Sequence, residues 1–218
     1  MAGIPRIGER APAFEAETTQ GPVRFPNDFQ GRWLVFFSEA ASFRPVCTTE
    51  FMILAEMKTE FERLNCRLLG LSCDTVERQT AWLRAVESRT VWVDRKNVQL
   101  DFPVICDPDR HVARAYGVLQ PGDGTVRASF VIAPDSVIRA ALYYPPSIGR
   151  NLIEIRRLVL ALQLADRHQV ATPANWQPGA EVVRVPPPPG RISRDWRENP
   201  FGDAQYLEWF GSLTQCPQ

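Results

Sequence analysis

The sequence predicts an α/β domain whose sheet is covered on both faces, followed by an extended, proline-rich arm. Two observations carry this: several strand-length runs are apolar almost throughout, as doubly covered strands must be, and helical patterns lie between them. A third is the change of character near residue 166, where periodicity is lost and proline accumulates.

Taken in order, "WLVFFS" (Trp33–Ser38) is the first core strand. After Cys47, the residues Phe51, Leu54, Ala55, Met57, Phe61 and Leu64 recur at near-helical spacing. "RLLGLSC" (Arg67–Cys73) is the next strand, and Trp82, Leu83 and Val86 mark a second helix. "FPVIC" (Phe102–Cys106) is a third strand, and "RHVARAYGV" is a short helix stopped at Gly117. "ASFVIA" (Ala128–Ala133) and "VIRAALYY" (Val137–Tyr144) read as a hairpin turned by "APDS". "NLIEIRRLVLALQLAD" (Asn151–Asp166) is the clearest amphipathic helix. The expected domain therefore spans residues 1–166. Residues 167–218 form the arm, which has too few apolar anchors to build a second core and is expected to lie along a surface, its own or a partner's.

Composition excludes several functions. Among 218 residues, Lys plus Arg and Asp plus Glu are 25 each, so no net field points to nucleic acid or an anionic membrane. No run approaches the ~18 apolar residues of a membrane span, and the N-terminus lacks a signal-like apolar core, so a soluble, cytoplasmic protein is expected. The five cysteines (47, 66, 73, 106 and 216) contain no C-x-x-C pair, and only His111 and His168 are available. A disulfide framework, a zinc site, a thioredoxin-type dithiol and a Cys–His hydrolase are all disfavoured, and no cofactor is implied.

One cysteine has unusual company. In "SEAASFRPVCTTEF", Pro45 suits the first turn of a helix, Glu50 favours the same end, and Cys47 would sit among free backbone N–H groups. That position stabilises a thiolate, with Arg44 as a further positive charge. A small buried hydrophobe remains the alternative from local context alone.

The strings "FSEAASFRPVCTTEF", "DPDRHVARAYGV", "VRASFVIAPDSVIRAALYYPPSIGRN" and "VATPANWQPG" together resemble the one-cysteine subfamily of peroxiredoxins, from "GERAPAFEAETTQG" to about Pro178. The resemblance implies a thioredoxin-like fold, a central mixed sheet flanked by helices, with the arm helping to form a homodimer. It implies that Cys47 attacks a peroxide, hydrogen peroxide or a small organic hydroperoxide, to become a sulfenic acid that a thiol reductant restores. It also implies roles for Arg127 and Arg150 as guanidinium donors and for Glu50 as the group holding them.

The pattern departs from the family at three positions. The family's proline is Ala40, its threonine is Arg44, and the histidine often found after the serine is Glu39. Alanine is expected to open the pocket, and Glu39 to oppose a thiolate unless paired with Arg44. A guanidinium only donates, unlike the threonine hydroxyl. Two readings follow: Arg44 substitutes electrostatically in a working peroxidase, or the chemistry has decayed into a redox sensor or binding protein. The lipase-like serine of some relatives corresponds to Arg32, so a phospholipase role is unsupported. Cys73 and Cys106 are expected to be inert core thiols, Cys66 partly buried, His111 a surface residue, and Cys216 a candidate resolving thiol.

Overall fold

The computed structural model describes residues 3–120 and 124–184. These divide into two compact units, residues 1–152 and the remainder from 153. The first unit holds a seven-stranded mixed sheet: β1 (Phe14–Thr18), β2 (Gly21–Phe25), β3 (Trp33–Ser38), β4 (Cys66–Ser72), β5 (Val104–Cys106), β6 (Arg127–Ile132) and β7 (Ile138–Tyr144). Their spatial order is β2-β1-β5-β4-β3-β6-β7, with β3, β4 and β5 parallel and the pairs β3–β6 and β6–β7 antiparallel. This is the thioredoxin-like arrangement expected. All six residues of β3 and of β6 are buried, which explains why both read as continuous apolar runs.

Successive side chains of β3 point to opposite faces and so seed two aromatic clusters. Phe36 packs edge-on to Tyr116 with centroids 4.5 Å apart, alongside Phe14 and Phe130. Phe37 packs on the other side against Phe51 of helix α1 (Pro45–Arg63) and Phe102, and Phe51 meets Trp82 of helix α2 (Val76–Arg89) at 4.7 Å. Each buried ring contributes about 2–3 kcal/mol. Helix α1 buries Cys47, Phe51, Leu54 and Phe61 on one face and ends at Leu64, where Asn65 takes a left-handed φ of 49°. Helix α3 (His111–Ala115) is the predicted short helix, closed by Gly117 at φ 63°.

The β1–β2 hairpin and the 3-10 turn at Asn27–Phe29 lie outside the sequence reading. The hairpin is half exposed, alternates polar residues and carries glycine and proline, so its apolar signal is weak. Cys66 differs from expectation too: it opens β4 and is fully buried rather than partly so.

In the second unit, α4 (Leu152–His168) carries Ala161, which packs with Trp176 and Val182, and a short ribbon pairs β8 (Val170–Ala171) with β9 (Val183–Arg184). Trp176 donates its indole N–H to Ala180 O at 3.1 Å, and Arg157 is clamped by Glu154 at 2.6 and 2.7 Å. Much of the arm, including Cys216, lies outside the described residues. No helix among the described residues is long and apolar enough to cross a membrane.

Candidate active site

The N-terminus of α1 is built as its residues suggest. Arg44 is the N-cap with extended backbone, and Pro45 occupies the first turn, where its missing N–H costs no hydrogen bond. Cys47 and Glu50, three residues apart, share the inward face and are both buried. The strand ends then bring in two arginines. Arg127 opens β6, beside the end of β3, and Arg150 follows β7; both are buried although each carries a charge.

These four side chains form one connected cluster. Arg127 Nη1 donates to Cys47 Sγ at 3.4 Å and to Glu50 Oε2 at 2.6 Å, while Nη2 donates to Pro146 O at 3.0 Å. Arg150 Nη1 donates to the same Glu50 oxygen at 2.7 Å, and the Arg150 backbone N–H donates to Glu50 Oε1 at 2.7 Å. Arg150 Nη2 reaches Ser38 O and Ala128 O, and its guanidinium lies 5.5 Å from the Phe37 ring centroid. Glu50 is thus a hub holding both guanidiniums in place, one of them against the sulfur. Arg127 and Arg150 are thus buried members of one charged cluster and not solvated surface charges.

Electrostatics follow from burial and partners. Burial works against the charge on Arg127, yet Glu50 and Cys47 outweigh it, and the net direction of its pKa is upward. Burial pulls Arg150 down to about 10 in spite of Glu50, which leaves it protonated at neutral pH. The other described thiols have no such partners. Burial pushes Cys66 up to about 12, and Cys73 and Cys106 to about 11, so all three stay protonated, although Cys73 is only partly buried and not the core thiol expected.

Three expectations about the altered motif change. Ala40 does not open the pocket, because Cys47 is 0% exposed. Glu39 is not paired with Arg44; it is buried at 1% exposure beside Ser42, Ser72 and Gln79. Arg44 itself is exposed, its side chain makes no cap bond, and it has no hydrogen bond or ion pair with Cys47 or Glu39. Its carbonyl accepts from the Thr48 N–H and hydroxyl, as any helix N-cap carbonyl does. His111 is half-exposed on its own element, held by Asp107 at 2.9 Å and Asp109 at 3.0 Å.

Ser38 is the residue that sequence reading missed. Its hydroxyl donates to Val126 O at 2.6 Å and accepts from Ala128 N at 3.1 Å, pinning the end of β3 to the start of β6, while its carbonyl takes Arg150. A polar residue closing an otherwise apolar strand was the available signal.

Comparison with known proteins agrees with this geometry. Residues 7–141 match the model of the AhpC/TSA family, and residues 161–190 match the C-terminal domain of 1-Cys peroxiredoxin. A peroxiredoxin of Methanosarcina mazei is 45% identical over 218 residues, covering 99% of this chain and 100% of its own. One from Aquifex aeolicus is 45% identical over 200 residues, covering 86% and 87%. Among solved structures, peroxiredoxin 6 of Arenicola marina superposes with a TM-score of 0.77 at 32% identity, covering 91% of this chain and 90% of its own. The yeast mitochondrial 1-Cys peroxiredoxin, described with a thiol resolving mechanism through glutathione/thioredoxin systems, gives 0.74 at 36% identity, covering 91% and 93%.

Proposed function

The chain belongs to the AhpC/TSA family and is a thiol peroxidase of the peroxiredoxin type, and on that premise we propose that Cys47 is its nucleophile. Arg127, Arg150 and Glu50 are the groups that activate it. The observation that carries this reading is the 3.4 Å contact from Arg127 to the Cys47 sulfur, within a cluster anchored by Glu50. Two guanidiniums and one carboxylate leave a buried surplus of one positive charge, which a thiolate at Cys47 cancels.

The substrate is hydrogen peroxide or a small organic hydroperoxide. The thiolate attacks the terminal oxygen, an S–O bond forms, and the O–O bond breaks. The leaving hydroxide or alkoxide takes a proton and departs as water or alcohol, leaving Cys47 as sulfenic acid. Arg127 is placed to stabilise charge moving from sulfur to oxygen. A thiol then reduces the sulfenic acid; the glutathione/thioredoxin systems named for the yeast relative indicate the chemical class of reductant. We assign the 1–166 segment to this chemistry and the 167–218 arm to homodimer formation, in a cytoplasmic protein without metal or cofactor.

Arg44 acts at a distance, as positive charge at the mouth, since its exposed side chain does not touch the sulfur. The same fact favours a second reading, a redox sensor or binding protein that has lost turnover with the threonine hydroxyl. Dimedone trapping with mass spectrometry separates them. Rapid labelling confined to Cys47 with sustained peroxide consumption supports the peroxidase, labelling without turnover supports the sensor, and no labelling at Cys47 overturns the peroxidase and favours the binding protein.

A further inference from the structure

Cys47 is fully buried, so the chain around it must move aside whenever the sulfur meets a bulky reductant, and residues 39–44 lead directly into its helix turn. Residues 39–44 are held down by a small polar cluster. Glu39 N donates to Leu71 O at 2.9 Å, Thr125 Oγ1 donates to Glu39 O, and Ser42 N donates to Asp74 Oδ2 at 3.4 Å. At the centre, Ser42 Oγ lies 2.6 Å from Gln79 Oε1 and 3.3 Å from Glu39 Oε1.

A hydroxyl has one hydrogen. Ser42 lies 2.6 Å from Gln79 and 3.3 Å from Glu39, so it is engaged chiefly with Gln79 and offers the Glu39 carboxyl only a long hydrogen bond. The rest of the environment agrees. Glu39 Oε2 is buried without a hydrogen-bond partner among the described residues, and no cation is paired with Glu39. The titratable and charged groups facing it are Asp74 and Cys73 beyond β4, Cys106 ending β5, and Arg150 before α4; α2 presents the neutral Gln79. Asp74 repels a second charge, and Arg150 is committed to Glu50, Ser38 and Ala128.

We propose that Glu39 is a positioning residue of the peroxidase site, a proton-dependent latch: protonated, it sits uncharged in the buried Ser42–Gln79 cluster and keeps residues 39–44, which lead into the Cys47 turn, in place; ionised, it loosens them. The inference rests on Cys47 being the reacting thiol, since the latch governs access to that sulfur. Burial, ahead of any other cause, pushes Glu39 up to about 7, with Asp74 adding to the rise and Ser72, Ser42 and Gln79 offsetting part of it. The latch therefore releases across neutral pH.

Hydrogen exchange of the full-length protein tests it, with amide protection in residues 39–46 corrected for the intrinsic pH dependence of exchange. Between pH 6 and pH 8 protection should fall about 10-fold, the linkage expected for a group titrating at about 7 when closed and 4.5 when released. In Glu39→Gln, whose amide keeps a donor, and in the uncharged Glu39→Met, that fall should vanish, while β1 amides stay unchanged throughout. An equal fall in both variants, no fall in the wild type, or a fall shared by β1 would overturn the latch. No peroxide is consumed in the measurement, so its failure leaves the role of Cys47 standing, and failure of the trapping experiment leaves the latch testable.

Discussion

Glu39 and Glu50 are the same side chain at nearly the same depth, 1% and 2% exposed, on either side of one cysteine, yet their surroundings differ in kind. Glu50 accepts from two guanidiniums and a backbone N–H, whereas Glu39 has hydroxyls, an amide and a neighbouring aspartate. The contrast teaches that burial alone does not decide the charge of a carboxyl; its partners do. One acid ties two buried guanidiniums together, and the other, with no cation paired to it, holds its segment in place as a neutral group.

The comparison breaks most sharply at its stronger member. Glu50→Gln strips the carboxylate from two buried arginines and should cost about 3–5 kcal/mol in denaturant unfolding at neutral pH. A cost below about 1 kcal/mol would show that the cluster is not held by Glu50. Arg127→Met tests the electrostatic arm of the same cluster. Peroxide reactivity of Cys47 should drop by about 10²–10³, the loss typical of one transition-state donor, and rapid-mixing kinetics would register it.

At Glu39 the sign reverses with pH. Its carboxyl binds a proton more tightly folded than unfolded, so it penalises the folded state progressively as pH rises from about 4.5 through about 7. Glu39→Gln should therefore leave stability near wild type at pH 5 and gain up to about 3 kcal/mol at pH 8. Equal effects at both pH values would place the Glu39 charge elsewhere. The smallest change is outside both carboxyl environments: Arg44→Thr supplies the N-cap side chain that α1 lacks, and chemical unfolding should show a gain of about 0.5–1 kcal/mol.

How legible all this was depends on what each residue's neighbours in sequence reveal. β3 to β6 were readable because strands buried on both faces write themselves as apolar runs, and β7, though only partly buried, because it is apolar along most of its length. The β1–β2 hairpin was not, being half exposed with polar alternation. Pro45 and Glu50 marked the mouth of α1, and hence the place of Cys47, from local chemistry. Nothing near Arg127 or Arg150 announced that two arginines would be buried; their partner is 77 and 100 residues away, and only the family resemblance pointed to them. Glu39 was read as a hazard to the thiolate, because sequence cannot show that Ser42 and Gln79 would fold over it.

The central claim is that the Arg127–Glu50–Arg150 cluster makes Cys47 a peroxide-reactive thiol. Stopped-flow mixing of reduced protein with excess hydrogen peroxide, following formation of one sulfenic acid, tests it most directly. The account predicts a single fast phase with one equivalent oxidised in the wild type, none in Cys47→Ser, and a phase slowed about 10²–10³-fold in Arg127→Met. Oxidation that persists in Cys47→Ser, or a wild-type rate no faster than that of an ordinary free thiol, would contradict it.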